Sequence, residues 1–256
     1  LIHIDYFFMI CDLYKNQKVL NGLDLDKPIY KYIPLKYVLE MYKTKKLYMS
    51  KVKFWEDTYE NFFLKQNFRV DGHVLNAKNL IEQVYGQSWT LINESDAMWR
   101  IYSNNQKLNE VAIKVKTTPS RLFDAIYVDY ACMATTNIGQ VQYMYKNELV
   151  TWLKNIQIQS ATDFGRYIVP SMFMKRKPFS HESEVRVIVF LDNDMGNGIF
   201  YDIDPDIIFD EFVIDPRLEA DATKKIIKKL LKVVADPKKI KQSTLYTFTP
   251  NIIKIG

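Results

Sequence analysis

The chain has 256 residues, a net charge of +5 and a pI near 8.9, with 48% hydrophobic and 25% charged residues. Those are ordinary values for a globular protein with a substantial core, and the mildly basic balance admits a nucleic acid or another polyanion as partner without demanding one. The scarce special residues exclude more than they name: the one close glycine pair, in DMGNGIF, lacks the Lys-Ser/Thr of a P-loop and the spacing of a dinucleotide fingerprint, while Cys11, Cys132, His3, His73 and His181 match no zinc spacing.

Two distant cysteines fit a reducing, cytoplasmic setting. The opening LIHIDYFFMICDLY is apolar but broken by His3, Asp5 and Asp12, and has neither a basic leader nor a small-residue cleavage site. An amphipathic helix over about 3–19, within an N-terminal segment 1–25, is therefore expected rather than a signal peptide. No run has the length of a membrane span. IYKYI (29–33) reads as a strand, PLKYVLEMYKTKK (34–46) as a helix with Pro in its first turn, and LYMS (47–50) as a strand again. WEDTYENFFLKQ reads as a helix, YGQSWTLI (85–92) as an alternating strand, and NESDAMWRIYSNN (93–105) as a helix opened by capping residues. EVAIKVKTT (110–118) alternates as a strand, PSRLFDAI turns helical, YVDYAC and GQVQYMY read as strands, and about 146–175 is mostly helical. FSHESEVRVIVF (179–190), GIFYDI and IFDEFVID follow as strands, then a basic helix at 217–235 and a last strand, TLYTFT. Strands and helices mix without a βαβα rhythm. That predicts an α+β fold: a single domain over 1–256, whose core spans 26–256 and holds a central mixed or split sheet flanked by helices.

Four local patterns carry candidate chemistry. Tyr30 and Lys31 close the first strand; Asp57 and Glu60 lie three apart in WEDTYE; Ser88 and Thr90 share a strand face beside Trp89, with Trp99 and Tyr102 on one helix face; and Glu182, Glu184 and Arg186 alternate at the mouth of a core strand. Each has an ordinary reading as well. Acids at a helix start are favoured by capping and by the macrodipole. Aromatics three apart on a helix pack in cores more often than they stack on ligands. An alternating Glu-x-Glu-x-Arg can be a solvated face, with Lys175, Arg176 and Lys177 as plain surface charge.

In chain order these pieces run Tyr-Lys-Tyr, Trp-Glu-Asp-x-x-Glu, Ser-Trp-Thr, Met-Trp-x-x-Tyr-Ser, EVAIKV and Lys-x-x-x-Phe-x-x-Glu-x-Glu-x-Arg, from about Tyr30 to Arg186. That order resembles a widespread bacterial family of domains of unknown function. The family's usual Phe-Asn-Asp-Pro-x-Glu is Trp55-Glu56-Asp57-Thr58-Tyr59-Glu60 here, its usual Trp before Glu-x-Glu-x-Arg is Phe179, and the Gly expected before Val-Ala-Ile is absent. More distantly the chain resembles ADP-ribosyltransferases, whose three motif points are a basic residue on a first strand, a Ser-x-Ser/Thr or Tyr element on a second, and a Glu or Glu-x-Glu on a third. Here they fall on Lys31, on Ser88-Trp89-Thr90 and on Glu182-Ser183-Glu184. The departure is Lys31, a point charge where the family has Arg or His.

The resemblance implies an ADP-ribosyltransferase-like split sheet that binds NAD as substrate. Glu184 would accept a bond from the ribose 2′-OH and stabilise the cationic transition state. Glu182 would orient or deprotonate the incoming nucleophile. Arg186 would hold the carboxylates or bind a phosphate. Lys31 and Ser88 would hold ribose and pyrophosphate beside Tyr30 and Thr90, and Trp89, Trp99 or Tyr102 would stack on nicotinamide or adenine. No metal is implied. The expected function is that of a toxin or phage-defence effector whose acceptor is a nucleic acid (RNA or DNA) or a protein, with an antitoxin or another defence-operon product as partner and no membrane role. Lys224, Lys225, Lys228, Lys229 and Lys232, on the helix with Ile226, Ile227, Leu230 and Leu231, favour a nucleic acid, against an ordinary solvated face. Two other readings stand beside it: a non-enzymatic, antitoxin-like interaction module, and a metal-dependent nuclease using Asp57, Glu60, Glu182 and Glu184 as oxygen ligands to Mg²⁺.

Overall fold

The computed structural model describes residues 19–57, 59–70, 73–76, 78–126, 134–158 and 161–250. The N-terminal helix expected before residue 19 and the strand expected at YVDYAC lie outside them. Val19–Leu20 (β1) leads through a turn, with Asn21 and Gly22 both at positive φ, toward Ile29–Pro34 (β2). Pro34, at the N-cap, starts helix Leu35–Thr44 (α1), which buries Leu35, Val38, Met41 and Tyr42 on one face and is closed by Lys45 in the left-handed region. Lys46–Lys51 (β3) alternates as its sequence suggests, with Leu47 and Met49 buried and Lys46 and Tyr48 exposed.

The helix expected over WEDTYENFFLKQ does not form. After a 3-10 turn at Val52–Phe54 the chain runs in turns to Gln66. Local side chains capture the backbone there: Asp57 Oδ1 accepts the Tyr59 N–H (3.1 Å), and Asn61, at φ 58°, donates its amide to the Val52 carbonyl (3.0 Å). Such bonds compete with the helical ladder.

Then come Asn67–Val70 (β4), His73–Asn76 (β5), Val84–Thr90 (β6), Asp96–Tyr102 (α2), Ala112–Thr117 (β7), Pro119–Ile126 (α3), Ala134–Gln140 (β8) and Gln142–Met144 (β9). Lys146–Lys154 (α4), Ala161–Met172 (α5), Met174–Arg176 (β10), Glu184–Leu191 (β11), Gly198–Asp202 (β12), Pro205–Ile208 (α6), Glu211–Ile214 (β13), Ala220–Leu230 (α7) and Ile240–Gln242 (β14) complete the chain. The basic helix is shorter than expected, because Asp215 accepts the Arg217 N–H and holds the stretch before it in a turn. The last strand is Ile240–Gln242 rather than TLYTFT, which lies exposed. The fold is α+β, with mixed sheets flanked by helices. Among the described residues no helix is long and apolar enough to cross a membrane.

Backbone contacts divide the chain into two compact units, each assembled from three stretches. The first takes 1–29, 46–91 and 118–203 and carries the strand order β1-β8-β11-β6-β3-β12, with β1 parallel to β8 and the other pairs antiparallel. β11 sits between β8 and β6, and Val185, Val187, Ile188 and Val189 are fully buried. Gly86 permits that packing: a Cβ there would lie 2.9 Å from both the Ile188 side chain and the Val187 carbonyl. Val52, Phe63, Leu64, Val84, Met172, Phe173 and Ile188 form this unit's main core. The second unit takes 30–45, 92–117 and 204–256, with the order β2-β7-β13-β14, β13 running antiparallel to β7 and parallel to β14. Its core gathers Tyr32, Met98, Trp99, Ala112 and Val213.

Candidate active site

The Glu-x-Glu-x-Arg stretch is not the uniform strand its alternation suggests. Lys177–Glu182 is a 3-10 turn, Ser183 stands in the left-handed region at φ 41°, and β11 begins only at Glu184. A non-glycine residue rarely adopts that backbone. It is held by the partner strand: Thr90 Oγ1 donates to the Glu182 carbonyl (2.6 Å) and the Leu91 N–H to the Ser183 carbonyl (3.0 Å). Glu184 and Arg186 do share a face, with Thr90 opposite Glu184 and Ser88 opposite Arg186 across β6.

That face is buried, not solvated. The Glu184 side chain is 2% exposed and the Arg186 side chain 0%. Ser88 Oγ donates to Glu184 Oε1 (2.5 Å), Arg186 donates to both carboxylate oxygens (Nε 2.7 Å, Nη2 3.1 Å), and Lys175 Nζ reaches Oε2 at 3.1 Å. Those four donors use the acceptor capacity of one carboxylate. Arg186 also donates to the Met172 carbonyl (2.7 Å) and to Glu60 (2.6 Å), with its guanidinium 4.6 Å from the Trp55 ring. Lys175 is the second hub, 2.7 Å from Glu182 and 3.3 Å from Glu60, its side chain only 9% exposed. Three carboxylates thus face two cations. Glu182, with 15% of its side chain exposed, is the most accessible of the three acids.

WEDTYE supplies one wall. Asp57 is buried and bonds Arg176 twice, Oδ1 to Nη2 at 2.6 Å and Oδ2 to Nε at 3.3 Å. Helix capping therefore does not account for Asp57 and Glu60; both are counter-ions to arginines far along the chain. Lys175 and Arg176 are likewise not plain surface charge. The sequence hint was a basic pair a short turn ahead of an acid pair, with two more acids in WEDTYE to be neutralised.

Charge sets the titration behaviour. Burial alone would raise the Glu184 carboxyl, but Arg186, Lys175 and the Ser88 bond pull it down to about 2. Burial would lower the Lys175 ammonium, yet Glu184, Glu182 and Glu60 raise it above the usual lysine range. Glu60 is pushed up by burial, which Arg186 and Lys175 only partly offset. Glu184 and Lys175 are thus both ionised at neutral pH. Of the oxygen ligands considered for Mg²⁺, Glu60, Glu182 and Glu184 all meet Lys175 and two of them meet Arg186, while Asp57 bonds Arg176, and among the described residues no group of three or more His, Cys, Asp or Glu could hold a metal ion.

Two solved structures are similar in chain trace. They are Thermus sp. 2.9 DarT in complex with NAD+ and in complex with ADP-ribosylated ssDNA, each with a TM-score of 0.40 and 10% identity, covering 87% of this chain and 98% and 97% of theirs. No family model and no curated protein matches the chain.

The remaining sequence candidates divide between the units. Trp89, on β6, is buried, and its Nε1 donates to Gln87 Oε1 (3.1 Å). In the second unit Trp99 is fully buried, packed edge-on against Tyr32 at 4.7 Å and donating to Glu94 (2.8 Å), so its ring belongs to the core. Tyr30 is buried beneath Lys114, 5.2 Å from its ring, and Lys31 is adjacent on β2. Tyr102 is 43% exposed and stacked on Tyr32.

Proposed function

We propose that this protein is an NAD+-consuming ADP-ribosyltransferase, an effector of the toxin or defence kind whose acceptor is a nucleic acid or a protein. One observation carries the reading: Ser88 and Glu184, the second and third motif points, meet by a hydrogen bond between β6 and β11, within a cluster of three carboxylates and two cations. In this reading the bond from ribose C1′ to nicotinamide nitrogen breaks with its electron pair leaving on nicotinamide, so positive charge develops on the ribose and an acceptor atom attacks C1′. A fixed anionic environment favours that transition state because its charges are already oriented. Glu184, locked by Ser88, Arg186 and Lys175, supplies that field. Glu182, at the edge and held to Lys175, accepts the proton of the attacking group. Arg186 holds the carboxylates in register; its burial and its bonds to Glu184, Glu60 and Met172 leave it no phosphate-binding role. Lys31, Tyr30 and Tyr102 enter the reading through motif order.

Labelled NAD+ incubated with the purified protein and total RNA, DNA or cell extract tests it. Label should pass to one acceptor fraction and be lost with Glu182→Gln and Glu184→Gln. No turnover under any of these conditions sinks the transferase reading. A second reading rests on the burial itself: a carboxylate and a guanidinium whose bonds are all internal can be a structural clamp in a non-enzymatic interaction module. It expects Glu182→Gln to change no biological activity of the protein.

A further inference from the structure

Beside the acids stands a guanidinium that the proposed chemistry does not use. Arg176 ends β10, and its Cζ lies 4.6 Å from the Tyr59 ring centroid and 5.3 Å from that of Phe179, so two rings flank it. Asp57 takes Nε and Nη2, while Nη1 makes no hydrogen bond among the described residues and the side chain remains 31% exposed. A carboxylate that grips the Nε/Nη2 edge of a guanidinium leaves the terminal Nη1 and Nη2 hydrogens as a planar fork, the shape that matches phosphoryl oxygens. The position is next to the candidate site: Lys175, which bonds Glu182, faces the same Phe179 ring at 4.9 Å. Two exposed cations extend the rim. Lys146 lies 5.7 Å from the Tyr59 ring, and Lys177 follows Arg176 in the chain. Arg186 is buried, so Arg176 is the guanidinium of this cluster that remains partly exposed.

We infer that Arg176, oriented by Asp57, Tyr59 and Phe179 and supported by Lys146 and Lys177, is a phosphoryl-binding residue. The phosphoryl group comes either from the diphosphate of a dinucleotide substrate or from the phosphodiester of a nucleic-acid acceptor. The inference rests on the transferase reading for its purpose but not for its test.

Calorimetric titration of the full chain with inorganic pyrophosphate, ADP-ribose and a short single-stranded oligonucleotide, run beside the labelled-NAD+ assay, decides it. Wild type should bind pyrophosphate, and Arg176→Ala should weaken it by about tenfold or more, as loss of a charge-assisted fork does. Arg176→Lys should recover only part of the loss. Because removing Arg176 strands buried Asp57, the exposed pair Lys146→Ala and Lys177→Ala provides a second probe, expected to weaken binding several-fold without changing the melting temperature. Parallel loss of ADP-ribose assigns the site to the dinucleotide, and parallel loss of the oligonucleotide assigns it to the acceptor. Pyrophosphate binding that is absent in wild type, or equal in wild type and folded Arg176→Ala, overturns the inference. If pyrophosphate binding depends on Arg176 while no NAD+ is consumed, the phosphoryl site stands and the transferase reading falls. If NAD+ is consumed with the same KM in wild type and Arg176→Ala, and pyrophosphate binding is unchanged, the transferase reading stands and this inference falls.

Discussion

Glu182 and Glu184 are two residues apart and have opposite situations. Glu184 is ionised in a nearly dry site, and its folded pKa of about 2 lies below the ordinary 4.5. A depressed carboxyl contributes stability that is fully present above its unfolded pKa and is lost as pH falls through its folded pKa. Glu184 therefore stabilises the fold above about pH 4.5, and that contribution, on the order of 3 kcal/mol, disappears as the pH falls toward 2. Glu60, whose pKa is raised by burial, acts in the opposite sense and offsets part of it. Denaturant titrations from pH 7 to pH 2 should show Glu184→Gln less stable at neutral pH, with a shallower acid limb than wild type. Equal slopes would mean that Glu184 is not what the acid limb reports. Glu182, partly exposed and bonded among the described side chains to Lys175, should behave differently. Glu182→Gln is expected to cost less stability than Glu184→Gln, because Lys175 keeps Glu184 and Glu60 as counter-ions, yet to abolish label transfer. A large loss of stability in that variant would move Glu182 from chemistry to scaffolding.

At the scale of elements, β6 and β11 bring Ser88 to Glu184, and their close packing passes over Gly86. The nearest atoms to an added Cβ include the Val187 carbonyl, which is backbone and cannot rotate away, and the Trp55 ring at 3.0 Å. Gly86→Ala should thus destabilise by about 1–3 kcal/mol through overpacking. It should also weaken the site, since Trp55 carries the Arg186 guanidinium. A melting temperature within a degree of wild type would show that the strands can part without cost. β6, β7 and β3 are legible in the sequence as extended segments under the period-two rule, although only β3 alternates in burial, while β6 and β7 are buried at nearly every residue. The same rule misreads FSHESEVR: Ser183 takes a left-handed backbone, so Glu182 leaves the strand while the letters still alternate. WEDTYENFFLKQ misleads in another way. Its apolar spacing is helical, but Asp57 and Asn61 capture backbone groups locally, and Asp57 and Glu60 are ordered by Arg176 and Arg186, more than a hundred residues away. Lys175 and Arg176 read as surface in the sequence for the reason most lysines and arginines do: burial of a cation requires partners, and those partners are visible only once the chain has folded.

Over the whole molecule the α+β class is legible because it needs only the mixture of elements, whereas the division into two units, each threaded from three chain segments, is not: no linker composition marks it. Charge is the other property that belongs to the whole chain. The net +5 is small, but α7 and the turn after it concentrate it: Ile226 and Leu230 are buried, while Lys224, Lys225 and Lys228 on the helix and Lys232 just past its end are exposed. Of the helix cations, Lys224 faces Asp221 at 3.8 Å and Lys229 bonds Asn109, which leaves Lys225 and Lys228, with Lys232 just beyond the helix, as the lysines best placed to meet a polyanion. The buried stripe explains why the helix is there; it does not explain why its outer face is so one-signed. If the acceptor is a nucleic acid held by this face, single-strand binding must release counterions, and the logarithm of the affinity must fall linearly with the logarithm of salt. Each phosphate contact contributes about 0.7 to that slope on single strands, so replacing Lys225, Lys228 and Lys232 together with Gln should reduce it by about 2. Because the three side chains are solvent-exposed, the variant should keep its melting temperature, and any change in slope reports contact rather than unfolding. An unchanged slope would make α7 a solvated face and would shift the search for the acceptor to proteins.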